Sequence, residues 1–218
     1  MSEAAARLLA LDLEGGAGRI EALLQEGPGV TPAFVAVVCH PHPLYGGTLH
    51  NKVAHRIAAV LFERHGAVLR FNFRGAGKSE GAHDRGQGEL DDARAMLAWI
   101  RARHPGVPAW VAGFSFGAWI AARLAAAEPS VAKLILVAPP VHTQTFAEMQ
   151  TAPVPKLVLQ GTADDVCRPE NIARVFPTWA EPRQLVWIEG ASHFFDGKLA
   201  ELGQALLQAT AATPGEAS

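Results

Sequence analysis

The stretch Val111-Ala112-Gly113-Phe114-Ser115-Phe116-Gly117 joins an apolar run to the pattern GxSxG, and a segment of small residues follows from Ala118. This order predicts a strand, a tight turn and a helix, with Ser115 presented at the turn. Gly113 and Gly117 suit such a turn because a Cβ at either position would collide with the neighbouring strand or helix. The pentapeptide alone also occurs in ordinary loops, so its meaning depends on the rest of the chain.

Length and composition favour one well-folded domain. The chain has 218 residues, of which 49% are apolar and 18% charged, and we predict a single domain over residues 1–218. The formal net charge is −2 and acids are interspersed with bases, which argues against binding to nucleic acid or to a membrane surface.

Cysteine usage and hydropathy predict a cytoplasmic protein. Only Cys39 and Cys167 are present, far apart in sequence, so no disulfide framework or CxxC metal motif can form. The N-terminal residues lack the pattern of a signal peptide, and no apolar run approaches the roughly 18 residues of a membrane span.

The apolar pattern predicts an α/β protein. Two short runs, Leu8–Leu13 and Arg19–Leu24, are separated by a glycine-rich segment and predict an antiparallel hairpin. Strands then alternate with helices, which predicts a mostly parallel sheet covered on both faces, with the functional site at the carboxyl ends of the strands. The expected later strands are Phe34–Cys39, Ala67–Phe73, Ala109–Ala112, Lys133–Val137, Lys156–Gln160 and Gln184–Ile188, and the expected helices cover Leu49–Leu61 (capped by Gly66), Leu90–Arg103, Ala118–Ala127, Glu170–Trp179 and Lys198–Gln208.

Partners for Ser115 stand after two later strands. A serine hydroxyl is a poor nucleophile unless a histidine accepts its proton, and a carboxylate best orients that histidine. The strand at Lys156–Gln160 leads into a loop with Asp164 and Asp165, and the strand at Gln184–Ile188 leads into a loop with His193. Parallel strands bring such loops to one edge of the sheet.

The order serine, acid, histidine on separate strand ends resembles the α/β-hydrolase superfamily. The segment His40-Pro41-His42-Pro43-Leu44-Tyr45-Gly46-Gly47, followed by Asn51-Lys52-Val53, resembles a group of small bacterial members without a lid, over nearly the whole chain. The resemblance implies an α/β-hydrolase fold with a mostly parallel eight-stranded sheet. It assigns Ser115 as nucleophile, His193 as base and Asp164, three residues after Gly161, as the acid, with Asp165 as the alternative.

The same resemblance indicates two backbone donors for an oxyanion hole. Phe116, directly after the serine, supplies one, and His42 is the expected second, with Leu44 or Tyr45 as alternatives, because Pro41 and Pro43 have no N–H. His40 and His42 could instead suggest a metal site. No motif that would supply a third ligand accompanies them, so we predict neither a metal nor another cofactor.

Gly77-Lys78-Ser79 imitates the end of a phosphate-binding loop. A P-loop needs a glycine where Asn72 stands and a helix directly after the serine, and this sequence offers neither. The motif RGxGxS at residues 74–79 is common in α/β-hydrolases, and the resemblance implies a structural role for Arg74 and Ser79.

Substrate access follows from the interval between the strands ending at Val137 and starting at Lys156. It is too short for a cap domain, so we expect an open site. The residues expected to line it are Leu44, Tyr45, Phe114, Phe116, Val141, Phe194 and Phe195. An open, apolar pocket suits small-molecule esters or thioesters and a carboxylesterase-like serine hydrolase. The alternatives are a peptidase or lactone hydrolase, or a non-catalytic ligand-binding protein on the same fold.

Overall fold

A computed structural model describes residues 7–211, and an eight-stranded sheet forms its centre. The strands are β1 (Arg7–Gly15), β2 (Gly18–Glu26), β3 (Phe34–Cys39), β4 (Gly66–Phe71), β5 (Ala109–Phe114), β6 (Val131–Val137), β7 (Lys156–Gly161) and β8 (Arg183–Ile188). Their spatial order is β1-β2-β4-β3-β5-β6-β7-β8. The β1–β2 hairpin joins β4 in antiparallel fashion and all other pairs are parallel, which confirms the predicted sheet.

Helices cover both faces of the sheet, as predicted. They are α1 (Lys52–Glu63), α2 (Gln87–Arg103), α3 (Phe116–Ala127), α4 (Pro169–Val175) and α5 (Leu199–Ala209). Apolar side chains of α1 and α5 form one core cluster with the sheet, and those of α2, α3 and α4 form the other. Because a strand turns successive side chains to opposite faces, Val37 joins one cluster and Val38 the other. The central strands are therefore apolar throughout rather than alternating.

Two helix ends differ from the sequence-based expectation. Gly66 was expected to cap α1, but α1 ends at Glu63 and His65 takes the left-handed conformation, with a φ of 63°. Gly66 instead begins β4, where a Cβ would lie 2.5 Å from the Phe34 ring. The predicted helix to Trp179 ends as α4 at Val175 and continues as a 3-10 turn, because Pro177 has no N–H for the α-helical ladder.

The interval between β6 and β7 contains no lid. Within residues 138–155 the only regular element is a short 3-10 helix, Ala147–Gln150. The carboxyl ends of β5, β7 and β8 are consequently not covered by a separate cap, as the sequence predicted. None of the helices within residues 7–211 has the length and apolar character needed to cross a membrane.

Candidate active site

Ser115 occupies a strained turn between β5 and α3. Its φ of 54° and ψ of −121° lie in a region that residues with a side chain rarely adopt. Its N–H donates a hydrogen bond of 2.9 Å to the carbonyl of Val137 on the neighbouring strand, which holds the turn in place. Such backbone strain persists only where the surrounding structure supports it, and it clusters at functional sites.

The two glycines of the GxSxG pattern are needed for close backbone approach. A Cβ on Gly113 would lie 2.1 Å from the carbonyl oxygen of Gly117. A Cβ on Gly117 would lie 2.3 Å from the carbonyl oxygen of Cys39 at the end of β3. Both contacts are shorter than van der Waals packing allows, so any larger residue would push α3 away from the sheet.

His193 lies between Ser115 and Asp164, and the structure brings the three predicted residues together. The Nε2 atom of His193 is 3.1 Å from Ser115 Oγ, and its Nδ1 atom is 2.9 Å from Asp164 Oδ2. Because a carboxylate only accepts hydrogen bonds, Nδ1 carries the proton and Nε2 is left to accept one from the serine hydroxyl. The side chains of His193 and Asp164 are 5% and 0% exposed, so little water competes for these hydrogen bonds.

Asp164, and not the exposed Asp165, contacts His193. Its Oδ1 accepts the N–H groups of Val166 (3.0 Å) and Cys167 (2.7 Å) in a local turn. Its Oδ2 accepts Nε2 of Gln160 at 3.0 Å in addition to His193. Four donors thus surround a buried carboxylate, which fixes its orientation and compensates for the loss of water.

The two histidines of the 40–47 loop have different surroundings. His40 is fully buried, and its Nδ1 donates to the carbonyl of Pro41 (2.7 Å) while its Nε2 accepts the N–H of Phe73 (3.0 Å). Burial lowers the pKa of His40 to about 4, so the ring is neutral near pH 7. Neither nitrogen is free to ligate a metal in this arrangement.

His42 organises the turn that follows it. Its Nδ1 accepts the N–H of Leu44 at 3.2 Å, and its carbonyl accepts the N–H groups of Tyr45 and Gly47, both at 3.1 Å. The alternative donors Leu44 and Tyr45 are therefore already engaged. Within residues 7–211, the backbone N–H of His42 and that of Phe116, the first residue of α3, form no hydrogen bond. Both groups are therefore free to donate to a bound substrate.

A cavity of about 220 Å³ opens at Ser115, and its lining differs in part from the prediction. Tyr45 and Phe194 line it as expected, but Leu44, Phe114 and Val141 do not. Phe114 is fully buried and packs under His193 with a ring distance of 5.1 Å, and Val141 packs against the core. Phe116 and Phe195 are buried as well. The lining comprises Pro41, His42, Tyr45, Gly46, Gly47, Asn51, Ser115, Val166, His193 and Phe194.

Exposed apolar side chains surround the mouth of this cavity. Tyr45 is 88% exposed, Val166 49% and Phe194 46%. Val166 is not among the residues predicted from the sequence, although an apolar residue two positions after the candidate acid is a usable signal. A larger cavity of about 530 Å³ lies around Glu26 and Arg103, away from Ser115, and none of the predicted site residues lines it.

The RGxGxS segment has structural contacts. The Arg74 guanidinium pairs with Asp92 of α2, with 2.7 Å between Nη2 and Oδ1. Ser79 Oγ donates to the carbonyl of Asn72 at 2.7 Å and accepts the N–H of Glu21 at 3.0 Å. The next helix, α2, begins only at Gln87, so no helix N-terminus follows Ser79 as a P-loop requires.

Comparisons with known proteins agree with this fold. Residues 38–195 match the family model described as alpha/beta hydrolase fold. An uncharacterized protein of Rickettsia prowazekii is 35% identical over 201 residues, which cover 88% of this chain and 84% of that protein. These matches establish the class of protein that the fold suggested.

Two solved structures of bacterial proteins are similar to this chain. An alpha-beta serine hydrolase homologue from Coxiella burnetii is 39% identical, with a TM-score of 0.89 over 93% of this chain and 97% of that one. A serine hydrolase without a lid from Xanthomonas campestris is 37% identical, with a TM-score of 0.87 over 95% and 97% of the two chains. The chain belongs to the α/β-hydrolase family, and it is similar to a serine hydrolase without a lid.

Proposed function

We propose that this protein is a carboxylesterase-like serine hydrolase that cleaves small esters or thioesters through an acyl-enzyme intermediate. The hydrogen-bonded chain from Ser115 Oγ through His193 to Asp164 carries the proposal. Ser115 attacks the carbonyl carbon of the substrate while His193 Nε2 takes its proton, and Asp164 stabilises the imidazolium that forms.

The remaining steps use the same groups. The N–H groups of Phe116 and His42 stabilise the oxyanion of the tetrahedral intermediate, and each such donor contributes about 100- to 1,000-fold in rate. The intermediate collapses when His193 returns the proton to the leaving alcohol or thiol. Water then attacks the acyl-enzyme, again with His193 as base, and releases the acid and free Ser115.

The open cavity favours a short acyl group. Its volume of about 220 Å³ lies below the usual range of pockets that enclose a drug-sized ligand, roughly 300 to 1,000 Å³. Val166 and Phe194 offer apolar contact at the mouth, and no lid would close over a longer chain.

We further propose that the substrate is a small molecule, that no cofactor takes part and that the enzyme is cytoplasmic. Peptides and lactones are the alternative substrates, since the same three residues serve acyl transfer to water in each case.

Turnover of p-nitrophenyl esters of graded chain length by the parent and by Ser115→Ala tests this function. We expect the parent to hydrolyse the short esters fastest and Ser115→Ala to be at least about 1,000-fold slower, with an unchanged unfolding transition. Equal rates for the two proteins would exclude the proposed mechanism. Thioesters, peptides and lactones assayed in parallel decide among substrates within the class.

A further inference from the structure

The buried side chain of Gln160 contacts the same carboxylate oxygen that binds His193. Gln160 is fully buried near the end of β7. Its Nε2 lies 3.0 Å from Asp164 Oδ2, 2.9 Å from the carbonyl of Cys167 and, more distantly, 3.4 Å from the carbonyl of Gly161. All three partners are acceptors, so the orientation of the amide is determined by its contacts.

The amide of Gln160 acts as a donor only. Its Oε1 accepts no hydrogen bond from any residue between 7 and 211. Its hydrogen bonds to Asp164 Oδ2 and to the carbonyl of Cys167 connect the end of β7 to the acid and to the turn that carries it. A hydrogen bond to a carboxylate is about twice as strong as one between neutral groups, so it constrains the rotation of Asp164.

A second donor on Oδ2 also changes what His193 experiences. The Nδ1 proton of His193 is attracted to Oδ2 at 2.9 Å, and the donor at 3.0 Å withdraws charge from the same atom. Removing that donor concentrates charge on Oδ2 and stabilises the imidazolium more strongly.

Two further titratable side chains that lie close to this pair are Cys167 and His42. The Cys167 Sγ lies within 4.8 Å of the Asp164 and His193 ligand atoms, and burial raises the pKa of the thiol so that it stays neutral. His42 lines the same cavity, and burial lowers its pKa, with a contribution from His83. Neither group supplies a charge that would replace the Gln160 donor near pH 7.

We propose that Gln160 is a positioning residue for the reaction: its amide holds Asp164 in register with His193 and shares the charge of the carboxylate oxygen that binds this histidine. This inference rests on the proposed function, because it assigns Gln160 a role through the same carboxylate.

The test compares Gln160→Met, Gln160→Glu and a control, Thr162→Val. Methionine keeps the length of the side chain and removes the donor, and glutamate adds a second acid beside Asp164. Thr162 Oγ1 accepts the N–H of Gly190 at 2.8 Å, so it joins the loop after β7 to the loop after β8 without contacting Asp164. The readouts are kcat, KM and the pH profile of kcat/KM, together with the unfolding transition.

We expect Gln160→Met to lose about tenfold or more in kcat with little change in KM, the size of one charge-assisted hydrogen bond. The acidic limb of its kcat/KM profile should move to higher pH. The limb of Gln160→Glu should move less, because a buried carboxyl group beside Asp164 stays protonated and can donate to it as the amide does. Thr162→Val should keep the parental pH profile of kcat/KM even if the midpoint of its unfolding transition is lower. If Gln160→Met does not fold, Gln160→Asn, whose amide is one methylene too short to reach Asp164, should show the same loss and the same shift.

A parental acidic limb in a folded Gln160→Met or Gln160→Asn variant would overturn the inference, whatever its stability. That result is distinct from failure of the proposed function. If Ser115→Ala is inactive and the Gln160 variants have the parental profile, only the role of Gln160 is refuted; if Ser115→Ala is as active as the parent, the mechanism itself is refuted.

Discussion

Ser115 Oγ and His193 Nε2 lie 3.1 Å apart although 78 positions separate the two residues in the sequence. The sheet explains the proximity, since β5 ends directly before Ser115 and β8 ends shortly before His193, on the same edge. The loop after β7, a strand that lies between β5 and β8 in the sheet, supplies the carboxylate that binds the histidine. The proposed chemistry therefore depends on the order of parallel strands more than on any local motif.

Asp164 and its neighbour Asp165 provide a matched pair for the role of the acid. Asp164→Asn should lower kcat/KM by about 10,000-fold, because an amide cannot hold the histidine in the correct tautomer. Asp165→Asn removes the same charge from an exposed position and should change kcat/KM less than threefold. Ester hydrolysis measured side by side checks both. Comparable losses in the two variants would show that the acid has been misassigned.

Phe194 and Trp187 provide a matched pair for the substrate contact. Phe194 is 46% exposed and lines the cavity at Ser115, whereas Trp187 is 41% exposed on β8 and does not line it. Phe194→Ala should raise the KM for a butyrate ester about tenfold more than the KM for an acetate ester. Butyrate has two more methylenes, and each buried methylene contributes about 0.8 kcal/mol. Trp187→Ala should leave this selectivity unchanged. A chain-length preference that survives Phe194→Ala would place the acyl group elsewhere.

Glu26 predicts an acid-dependent part of the stability. Hydrogen bonds from Arg103 and then charge attraction from Arg103 and His104 lower the pKa of Glu26 below its usual 4.5, against the opposing effect of burial. A group whose folded pKa is lowered stabilises the protein above its unfolded pKa and loses that effect as the pH falls through the folded one. The free energy of unfolding, measured with urea at pH 6 and near pH 3, should therefore fall less between these two pH values for Arg103→Met than for the parent. An identical difference would show that this pair contributes nothing to the pH dependence.

The sequence was sufficient for the sheet, the turn at Ser115 and the three residues that meet there. Apolar runs predict buried strands, and the strand order of a parallel sheet brings their carboxyl ends together without knowledge of any side-chain contact. The choice of Asp164 over Asp165 depended on the spacing from Gly161 that is usual in the family. In the structure, only Asp164 contacts His193. One is buried against His193 and the other is exposed.

The pocket was predicted less well. Phe114 precedes Ser115 in sequence, but it is a strand residue whose side chain turns into the core under His193. Val166 and Asn51 line the cavity through loop conformations that periodicity does not encode. Gln160 looked like an ordinary strand residue, because its importance arises from a hydrogen bond to a turn four residues later. Such contacts follow from tertiary packing, which single-sequence patterns do not contain.

Covalent labelling with a fluorophosphonate probe tests the central claim most directly, because the probe reacts with a serine only where a base has activated it. Mass spectrometry of the labelled parent should place the adduct on Ser115, and Ser115→Ala should not be labelled. His193→Ala, which keeps the serine but removes the base, should be labelled at least about 100-fold more slowly. Absence of labelling in the folded parent, or equal labelling of His193→Ala, would contradict the account and favour a non-catalytic ligand-binding protein on this fold.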